Sequence, residues 1–146
     1  MKDQTNWDHR YLGLAEHVSQ WSKDPSTKVG AVITQDNHIV SIGFNGLPRG
    51  VDDTVERLSN RELKYKMIVH GEVNAMLFAR QSLHDCTLYT WPFMPCSGCA
   101  GQVIQRGIKR VVAPFNDNVR WVESFKLTEV MFAEAGVLLI LEGILK

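Results

Sequence analysis

Cysteine is scarce in this 146-residue chain, and neither sign of charge is in excess. The three cysteines are too few for a disulfide framework, and they fit a protein of a reducing compartment. The 16 lysines and arginines balance 16 aspartates and glutamates, so the chain lacks the basic excess that nucleic-acid binders usually show. A few local cations would still suffice to bind one phosphate of a small substrate.

The chain also has no long apolar run, no internal repeat and no low-complexity tract. The polar segment 1–6 does not resemble the start of a signal peptide, and no segment is long and apolar enough for a transmembrane helix. We therefore expect a cytoplasmic protein, of the host cytoplasm if it is viral, that binds neither membranes nor nucleic acid. Its length and its 45% hydrophobic residues suit one domain, residues 1–146, with one substantial core.

Two short segments carry potential metal ligands, His70-Gly71-Glu72 and the Pro-Cys-Ser-Gly-Cys segment that contains Cys96 and Cys99. One histidine and two cysteines suit Zn²⁺, and catalytic zinc sites usually use three protein ligands and leave the fourth position to water. Such a water can attack at neutral pH, and Glu72 is well placed to move protons to and from it. The pattern H-x-E with P-C-x-x-C is typical of zinc-dependent nucleobase deaminases.

A Cys-x-x-Cys pair by itself is also compatible with a redox pair or with half of a structural zinc site. A structural site would need a fourth Cys or His in register. Cys86 precedes an apolar segment and is interpreted as a buried thiol at a strand edge, and His84 with Cys86 matches zinc-finger spacing poorly. The catalytic zinc is the better hypothesis, which its structural context must test.

Apolar periodicity predicts four helices and five strands. The helices are 9–21, 71–80, 96–106 and 119–135, and the strands are 28–34, 39–44, 87–91, 109–113 and 137–141. Residues 35–38 are predicted to form a hairpin turn, 45–53 an ordered loop, and 54–66 a polar, partly helical stretch. This order predicts a mixed sheet with helices on its faces.

His70 and Cys96 each fall at the start of a predicted helix. The partial positive charge and free N–H groups of a helix N-terminus favour the thiolate forms of Cys96 and Cys99. These two cysteines occupy positions one and four of one helix, so both sulfurs can reach one ion. His70 completes the set if the two helices lie side by side.

Several motifs together resemble the cytidine deaminase superfamily and, within it, the deoxycytidylate (dCMP) deaminases, over residues 11–137. They are the segments 22–31, 43–50, 70–75, 107–112 and 135–137. The resemblance implies a three-layer α/β/α fold with a central mixed five-stranded sheet. It also implies hydrolytic deamination of dCMP to dUMP and ammonia, which feeds dTMP synthesis.

The resemblance further implies the site residues. Zinc, one ion per chain, is expected on His70, Cys96 and Cys99, and Glu72 is expected to carry the protons.

The resemblance also implies the contacts with the substrate. The N–H group of Gly71 is expected to face the base, and Asn74 to bind the sugar hydroxyl. Ser22, Lys23, Ser26 and Arg120 are candidates for the 5′-phosphate, although a Ser-Lys-Asp-Pro-Ser segment also suits a turn. Trp121 is preferred over Phe115 as the ring that stacks on the base, although it could equally pack the last helix.

The loop 43–50 resembles the segment through which relatives bind regulatory dCTP or dTTP, with Phe44, Asn45, Gly46 and Arg49 as candidate contacts. Its alternative is a structural turn. Phe44 stands where relatives have Tyr, and residues 51–53 lack the Cys or His that some relatives use for a second zinc. The resemblance also implies a homo-oligomer, with a hexamer favoured.

Gly71 departs from the usual Ala of the family, and the missing methyl is expected to leave room for a 5-substituted cytosine. Alternative substrates are dCTP, CMP or guanine, and a tRNA adenosine deaminase is disfavoured by the neutral charge. A non-catalytic zinc fold that binds nucleotides is the alternative from another class of protein. The intact Glu72 argues against it, because such a protein needs no proton carrier.

Overall fold

The computed structural model describes residues 4–143, which form one five-stranded sheet with helices on both faces. The helices are α1 (Gln4–Ser19), α2 (Val55–Ser59), α3 (Arg61–Met67), α4 (Gly71–Phe78), α5 (Ser97–Gln105) and α6 (Val122–Ala135). The strands are β1 (Gly30–Gln35), β2 (His38–Phe44), β3 (Thr87–Trp91), β4 (Arg110–Pro114) and β5 (Leu138–Glu142), and a 3-10 turn covers Val119–Trp121.

The sheet has the strand order β2-β1-β3-β4-β5. Strand β1 pairs antiparallel with both β2 and β3, whereas β3, β4 and β5 run parallel. The hairpin turn consists of Asp36 and Asn37, which have φ values of 50° and 62°. Asp and Asn are among the residue types that tolerate this left-handed backbone conformation. Parallel strands need crossover connections, and α5 and α6 supply them. The predicted mixed sheet is confirmed.

Alternate residues of the central strands face two separate cores, as the period of a strand requires. One core lies between the sheet and α4, α5 and α6, and the strands contribute Ala31, Ile33, Leu88 and Val111 to it. The other core lies under α1, where the strands contribute Val32, Tyr89 and Val112. The predicted three-layer arrangement is therefore confirmed.

Two glycines let helices lie directly on the sheet. A Cβ atom on Gly43 would overlap the backbone of Ala75 in α4, and one on Gly30 would overlap the backbone of Ala15 in α1. Helix α4 thus packs closely on the first two strands. This contact fixes the position of the helix whose N-terminus carries His70.

Three elements differ from their predicted bounds by more than the one or two residues seen in the others. Helix α1 begins at Gln4, five residues earlier than expected, because Asp8 accepts hydrogen bonds from Arg110 at 2.9 and 2.6 Å and from Tyr89 at 2.7 Å. The polar stretch 54–66 forms α2 and α3, whose first turns are capped by Thr54 and Asn60. The predicted helix 119–135 begins with the 3-10 turn instead.

Within residues 4–143, every helix is too short or too polar to cross a lipid bilayer.

Candidate active site

The two ligand-bearing segments lie at the N-termini of neighbouring helices, as predicted. His70 is the N-cap residue of α4 and Cys96 that of α5, both with extended backbone. Their carbonyl groups accept the first helical hydrogen bonds, from the N–H groups of Asn74 at 2.9 Å and Ala100 at 2.8 Å. Each candidate ligand is therefore fixed by the backbone of its helix.

His70 and the two cysteines form one compact cluster. The Nδ1 atom of His70 lies 3.2 Å from the Sγ atom of Cys99 and 3.6 Å from that of Cys96. All three ligand atoms lie within 4.8 Å of one another. Tetrahedral zinc with bonds of about 2.0–2.3 Å separates its ligand atoms by about 3.5 Å. The nitrogen and two sulfurs therefore fit a zinc ion in both chemistry and spacing.

The pKa values of the three potential ligands depend on one another through the hydrogen bonds between them. Hydrogen bonding with Cys99 and His70 lowers the pKa of the Cys96 thiol, although burial opposes this shift. Hydrogen bonding with Cys96, aided by burial, raises the pKa of Cys99, so one proton is shared between the two sulfurs. The pKa of His70 is also raised, chiefly by its hydrogen bond with Cys96. Cys96 therefore carries a thiolate, the form that binds metal.

Glu72 lies in the first turn of α4 and is only 3% exposed. Burial raises the pKa of its carboxyl group to about 7, and the negative charge of Cys96 acts in the same direction. A group with this pKa is protonated and ionised to similar extents at neutral pH. Such a group can both accept and donate a proton during a reaction.

Helix α6 holds the segment that carries Cys96. The hydroxyl group of Thr128 is buried and donates to the carbonyl oxygen of Pro95 at 2.9 Å. The hydroxyl group of Ser124 accepts from the N–H group of Ser97 at 2.8 Å. Ser124 and Thr128 were not predicted from the sequence, because nothing in a helical Ser or Thr indicates a contact about 30 residues away.

One pocket is lined by Glu72, by two of the potential metal ligands, His70 and Cys96, and by residues of several distant segments. It is lined by Asp24, Ser26, Thr27, Val29, Asn45, Lys64, Tyr65, Ile68, His70, Gly71, Glu72, Phe93, Cys96, Arg120, Trp121 and Phe125. Aromatic and aliphatic walls with a few polar groups are typical of a small-molecule site. A carboxyl group with a shifted pKa in such a pocket indicates catalysis.

A search of family models matches residues 5–114 to the cytidine and deoxycytidylate deaminase zinc-binding region. The chain belongs to the cytidine and deoxycytidylate deaminase family. Zinc is therefore its metal, and the cluster of His70, Cys96 and Cys99 is the group that fits it.

Individual relatives agree with this family. An Aliivibrio fischeri protein described as an uncharacterized deaminase in the luxG 3′ region is 46% identical over 136 residues, which cover 91% of each chain. The deoxycytidylate deaminase of Mus musculus is 34% identical over 142 residues, 92% of this chain and 79% of that one. The crystal structure of dCMP deaminase from the cyanophage S-TIM5 in complex with dCMP and dUMP superposes with a TM-score of 0.74. At 24% identity, with 99% of each chain covered, this likeness shows the shared fold.

Four of the expected substrate residues of this deaminase-family chain line the pocket, namely Gly71, Ser26, Arg120 and Trp121. Trp121 also packs against Phe93, with ring centroids 6.1 Å apart, so it serves both as pocket wall and as packing. Phe115, the other aromatic candidate, lines a neighbouring cavity instead.

Ser22 and Lys23 are not among the residues that line the pocket. Ser22 is buried, donates to the carbonyl oxygen of Asn45 at 2.9 Å and accepts from the N–H group of Asp24 at 3.2 Å. Lys23 is exposed and pairs with Asp53 at 3.0 Å. The turn interpretation of this segment therefore describes both residues better than the phosphate-binding interpretation.

Asn74 is also absent from the pocket lining. Its side-chain amide donates to the carbonyl oxygen of Phe44 at 2.8 Å, which joins α4 to the end of β2. The structure therefore gives Asn74 a contact in helix packing.

The expectation that Gly71 leaves extra room is wrong. A Cβ atom on Gly71 would lie 3.1 Å from Cγ1 of Val29 and 3.2 Å from the carbonyl oxygen of Val29. The space that a methyl group would take is therefore already closely bordered by Val29, the residue before β1, and by the backbone of Asn45. This glycine supplies no cavity for a substituent on the base.

The four residues of the expected regulatory loop have different surroundings. Phe44 is half-buried and packs edge-on against Trp21, and Asn45 is buried in the wall of the catalytic pocket. Gly46 forms a β-bridge with Val69, immediately before His70. Arg49 is exposed and lies over the ring of Phe78, 5.1 Å from its centroid. The loop thus supports the catalytic site directly.

Several pocket residues were not predicted from the sequence, and of these Asp24, Thr27, Lys64 and Tyr65 carry polar side chains. Tyr65 lies far from the expected aromatic loop in sequence, yet its hydroxyl group accepts from Arg120 at 2.8 Å. Lys64 and Asp24 form a buried ion pair at 2.9 Å. A lysine in a polar stretch gives no sequence signal of burial, because most lysines are exposed.

Proposed function

We propose that this protein deaminates dCMP to dUMP and ammonia in a zinc-dependent hydrolysis. The observation that carries the proposal is the Glu72 carboxyl group, buried in a pocket that is also lined by His70 and Cys96. The substrate follows from the family and from its 34% identity to the mouse deoxycytidylate deaminase. Retention of Glu72 argues against a non-catalytic zinc fold.

The chemistry requires a water that attacks C4 of the cytosine ring and a group that moves protons. His70, Cys96 and Cys99 would hold the zinc ion, which would meet the first requirement by lowering the pKa of a water to about 7. The Glu72 carboxylate accepts a proton from the attacking water and donates it to N3 of the ring. It then carries the second proton to the departing amino group. One water is consumed, and ammonia leaves.

Binding of the nucleotide is assigned to the remaining pocket residues. Trp121 and Phe93 provide aromatic surface for the base. Arg120 provides a cation whose hydrogen-bond partner in the structure is the neutral hydroxyl group of Tyr65. Its charge is thus available for the phosphate of dCMP, which a guanidinium group binds well.

A steady-state assay of the purified, zinc-loaded protein tests the proposal. The substrates compared are dCMP, dCTP, CMP, deoxycytidine and guanine. We expect the highest kcat/KM with dCMP and ammonia release equal to dUMP formation. A higher kcat/KM with any other substrate would replace the proposed one, and no turnover with the whole set would favour the non-catalytic alternative.

We further propose a homo-oligomer, with a hexamer favoured, in which dCTP and dTTP act as effectors through the loop 43–50. Support comes from the apolar side chains of Leu77 and Phe78, which are 65% and 50% exposed on α4. Arg49 of the loop lies over Phe78, so an effector at the loop would adjoin this apolar surface. Sedimentation equilibrium measures the oligomer, and a monomer at micromolar concentration would contradict it.

A further inference from the structure

One lysine of the pocket wall, Lys64, lies outside the motifs that carry the family resemblance. Lys64 of α3 is only 4% exposed, although lysine is almost never buried unless it is paired. Its Nζ atom donates to Oδ1 of Asp24 at 2.9 Å and to the hydroxyl oxygen of Ser26 at 2.9 Å. An ammonium group carries three N–H bonds, so these two hydrogen bonds leave one donor. The Nζ atom also lies 5.7 Å from the ring centroid of Tyr65, a residue of the same pocket.

The partners of this lysine form a rigid group, which we name the Lys64 cluster: Asp24, Ser26, Asn45 and Lys64. Asp24 also accepts from the N–H groups of Ser26 at 2.9 Å and Thr27 at 3.3 Å, and from the side-chain amide of Asn45 at 3.3 Å. Burial alone would raise the pKa of Asp24, but the hydrogen bonds from Lys64 and the two backbone N–H groups lower it. Asp24 is therefore ionised and balances the charge of Lys64.

The side-chain amide of Asn45, by contrast, has no N–H bond left for a ligand. Its Oδ1 atom accepts from the N–H group of Val29 at 2.9 Å, and its Nδ2 atom donates to Asp24 at 3.3 Å and to the carbonyl oxygen of Thr27 at 2.9 Å. Within the cluster, the third N–H of Lys64 is thus the charged donor that remains for a ligand. All four residues of the cluster line the pocket that also contains Glu72.

We propose that Lys64 binds the 5′-phosphate of the substrate through this third N–H bond, while Asp24 holds its ammonium group in place. A phosphate oxygen is the substrate group that best matches a buried ammonium donor. Because Asp24 cancels one positive charge, the cluster and Arg120 together carry a net charge of one. This balance suits a monophosphate better than a triphosphate. The inference rests on the proposed function, and it transfers to Lys64 the role that the sequence assigned to Lys23.

The experiment compares the inhibition constants of dUMP and deoxyuridine, both measured in competition with dCMP. The ratio of the two constants reports the contribution of the phosphate alone. The main variant is the double substitution Lys64→Met/Asp24→Asn, which removes both charges and leaves no stranded ion. The control is Lys66→Met, the same change at an exposed lysine two residues along α3. Thermal unfolding and zinc content are measured for each protein.

We expect the double variant to lower the preference for dUMP by about tenfold to a hundredfold, the value of a hydrogen bond between charged groups. Asp24→Asn alone should keep the preference, because the Oδ1 atom of the amide can still accept the hydrogen bond that holds the Lys64 ammonium group. Lys66→Met should leave it unchanged.

An unchanged preference in the double variant, with both inhibitors weakened equally, would overturn the inference and leave Lys64 a structural role. Loss of the preference in Asp24→Asn alone would overturn it as well. If the wild-type protein does not turn over dCMP, the proposed function fails first, and this is seen before any variant is made.

Discussion

The metal cluster (His70, Cys96 and Cys99) and the Lys64 cluster are built differently. His70 and Cys96 line the same pocket as all four residues of the Lys64 cluster. Two ligands of the metal cluster are three residues apart, and all three lie in the first turns or at the caps of two helices. In the Lys64 cluster, Lys64 and Asp24 are 40 residues apart and lie on a short helix and a loop.

This difference explains why one cluster can be found in the sequence and the other cannot. A metal site needs specific ligand types at helical spacing, so it leaves a local motif. A buried ion pair needs only opposite charges that meet in the folded chain, and any Lys and Asp can supply them. Chemistry that depends on local backbone geometry is therefore visible in a sequence, whereas long-range charge pairing is hidden.

The largest effect is expected at the metal cluster. Cys99→Ser replaces a soft ligand with a poor one, so bound zinc, activity and part of the stability should be lost together. Metal analysis after dialysis, a dCMP assay and thermal unfolding measure the three quantities. One full equivalent of tightly held zinc in this variant would show that Cys99 is not a ligand. Cys86→Ser, which changes a buried cysteine outside the cluster, is the matched control.

Glu72→Gln should abolish most of the activity while zinc stays bound. The amide has the shape of the carboxyl group but cannot accept the proton of the water, so kcat should fall by about 10² to 10⁴. Zinc content and dUMP binding should stay near the wild-type values. A variant that keeps more than about a tenth of the wild-type kcat, outside this range, would show that another residue moves the proton.

At the Lys64 cluster the expected loss is one of stability, because the charged pair of Lys64 and Asp24 is buried. Lys64→Met leaves Asp24 buried without its partner and should lower the free energy of unfolding by about 3–5 kcal/mol. The double variant Lys64→Met/Asp24→Asn should recover most of this loss. Urea unfolding of the wild type and both variants measures it, and equal stability of the single and double variants would contradict a coupled pair.

The same pair should affect stability in acid. The pKa of Asp24 is lower in the folded protein than its ordinary value of 3.8. Its contribution to stability is therefore complete above pH 3.8 and is lost as the pH falls through the folded-state pKa. The wild type should consequently lose more stability than the double variant below that pH. Parallel urea curves from pH 5 to pH 2 test this, and identical acid losses would exclude Asp24 as the cause.

The smallest effect is expected outside both clusters, at Arg49. If the loop 43–50 binds effectors, dTTP should inhibit at a site distinct from the zinc site, and Arg49→Ala should weaken this inhibition while basal turnover persists. Coupling of binding is reciprocal, so substrate occupancy should change effector affinity by the same factor. Titration of dTTP and dCTP against both proteins measures it. Hyperbolic kinetics that neither nucleotide changes would reduce the loop to a structural turn.

The elements of the fold were largely predictable, because the apolar alternation of the strands records which face of the sheet each residue occupies. The start of α1 was not predictable, because Asp8 is stabilised there by hydrogen bonds from Tyr89 of β3 and Arg110 of β4. Stretch 54–66 was predicted only as partly helical. Its polar surface hides the one fact that matters for the site, the burial of Lys64.

The candidate site divides in the same way. The sequence alone indicated the three residues of the metal cluster, the candidate proton carrier Glu72 and the family, because each depends on residue types at fixed local spacing. Only the tertiary structure decided which residues form the rest of the pocket: it includes Lys64 and leaves out Lys23. The physical reason is that burial and charge pairing arise where distant segments meet, and neither the composition nor the period of a segment records that meeting.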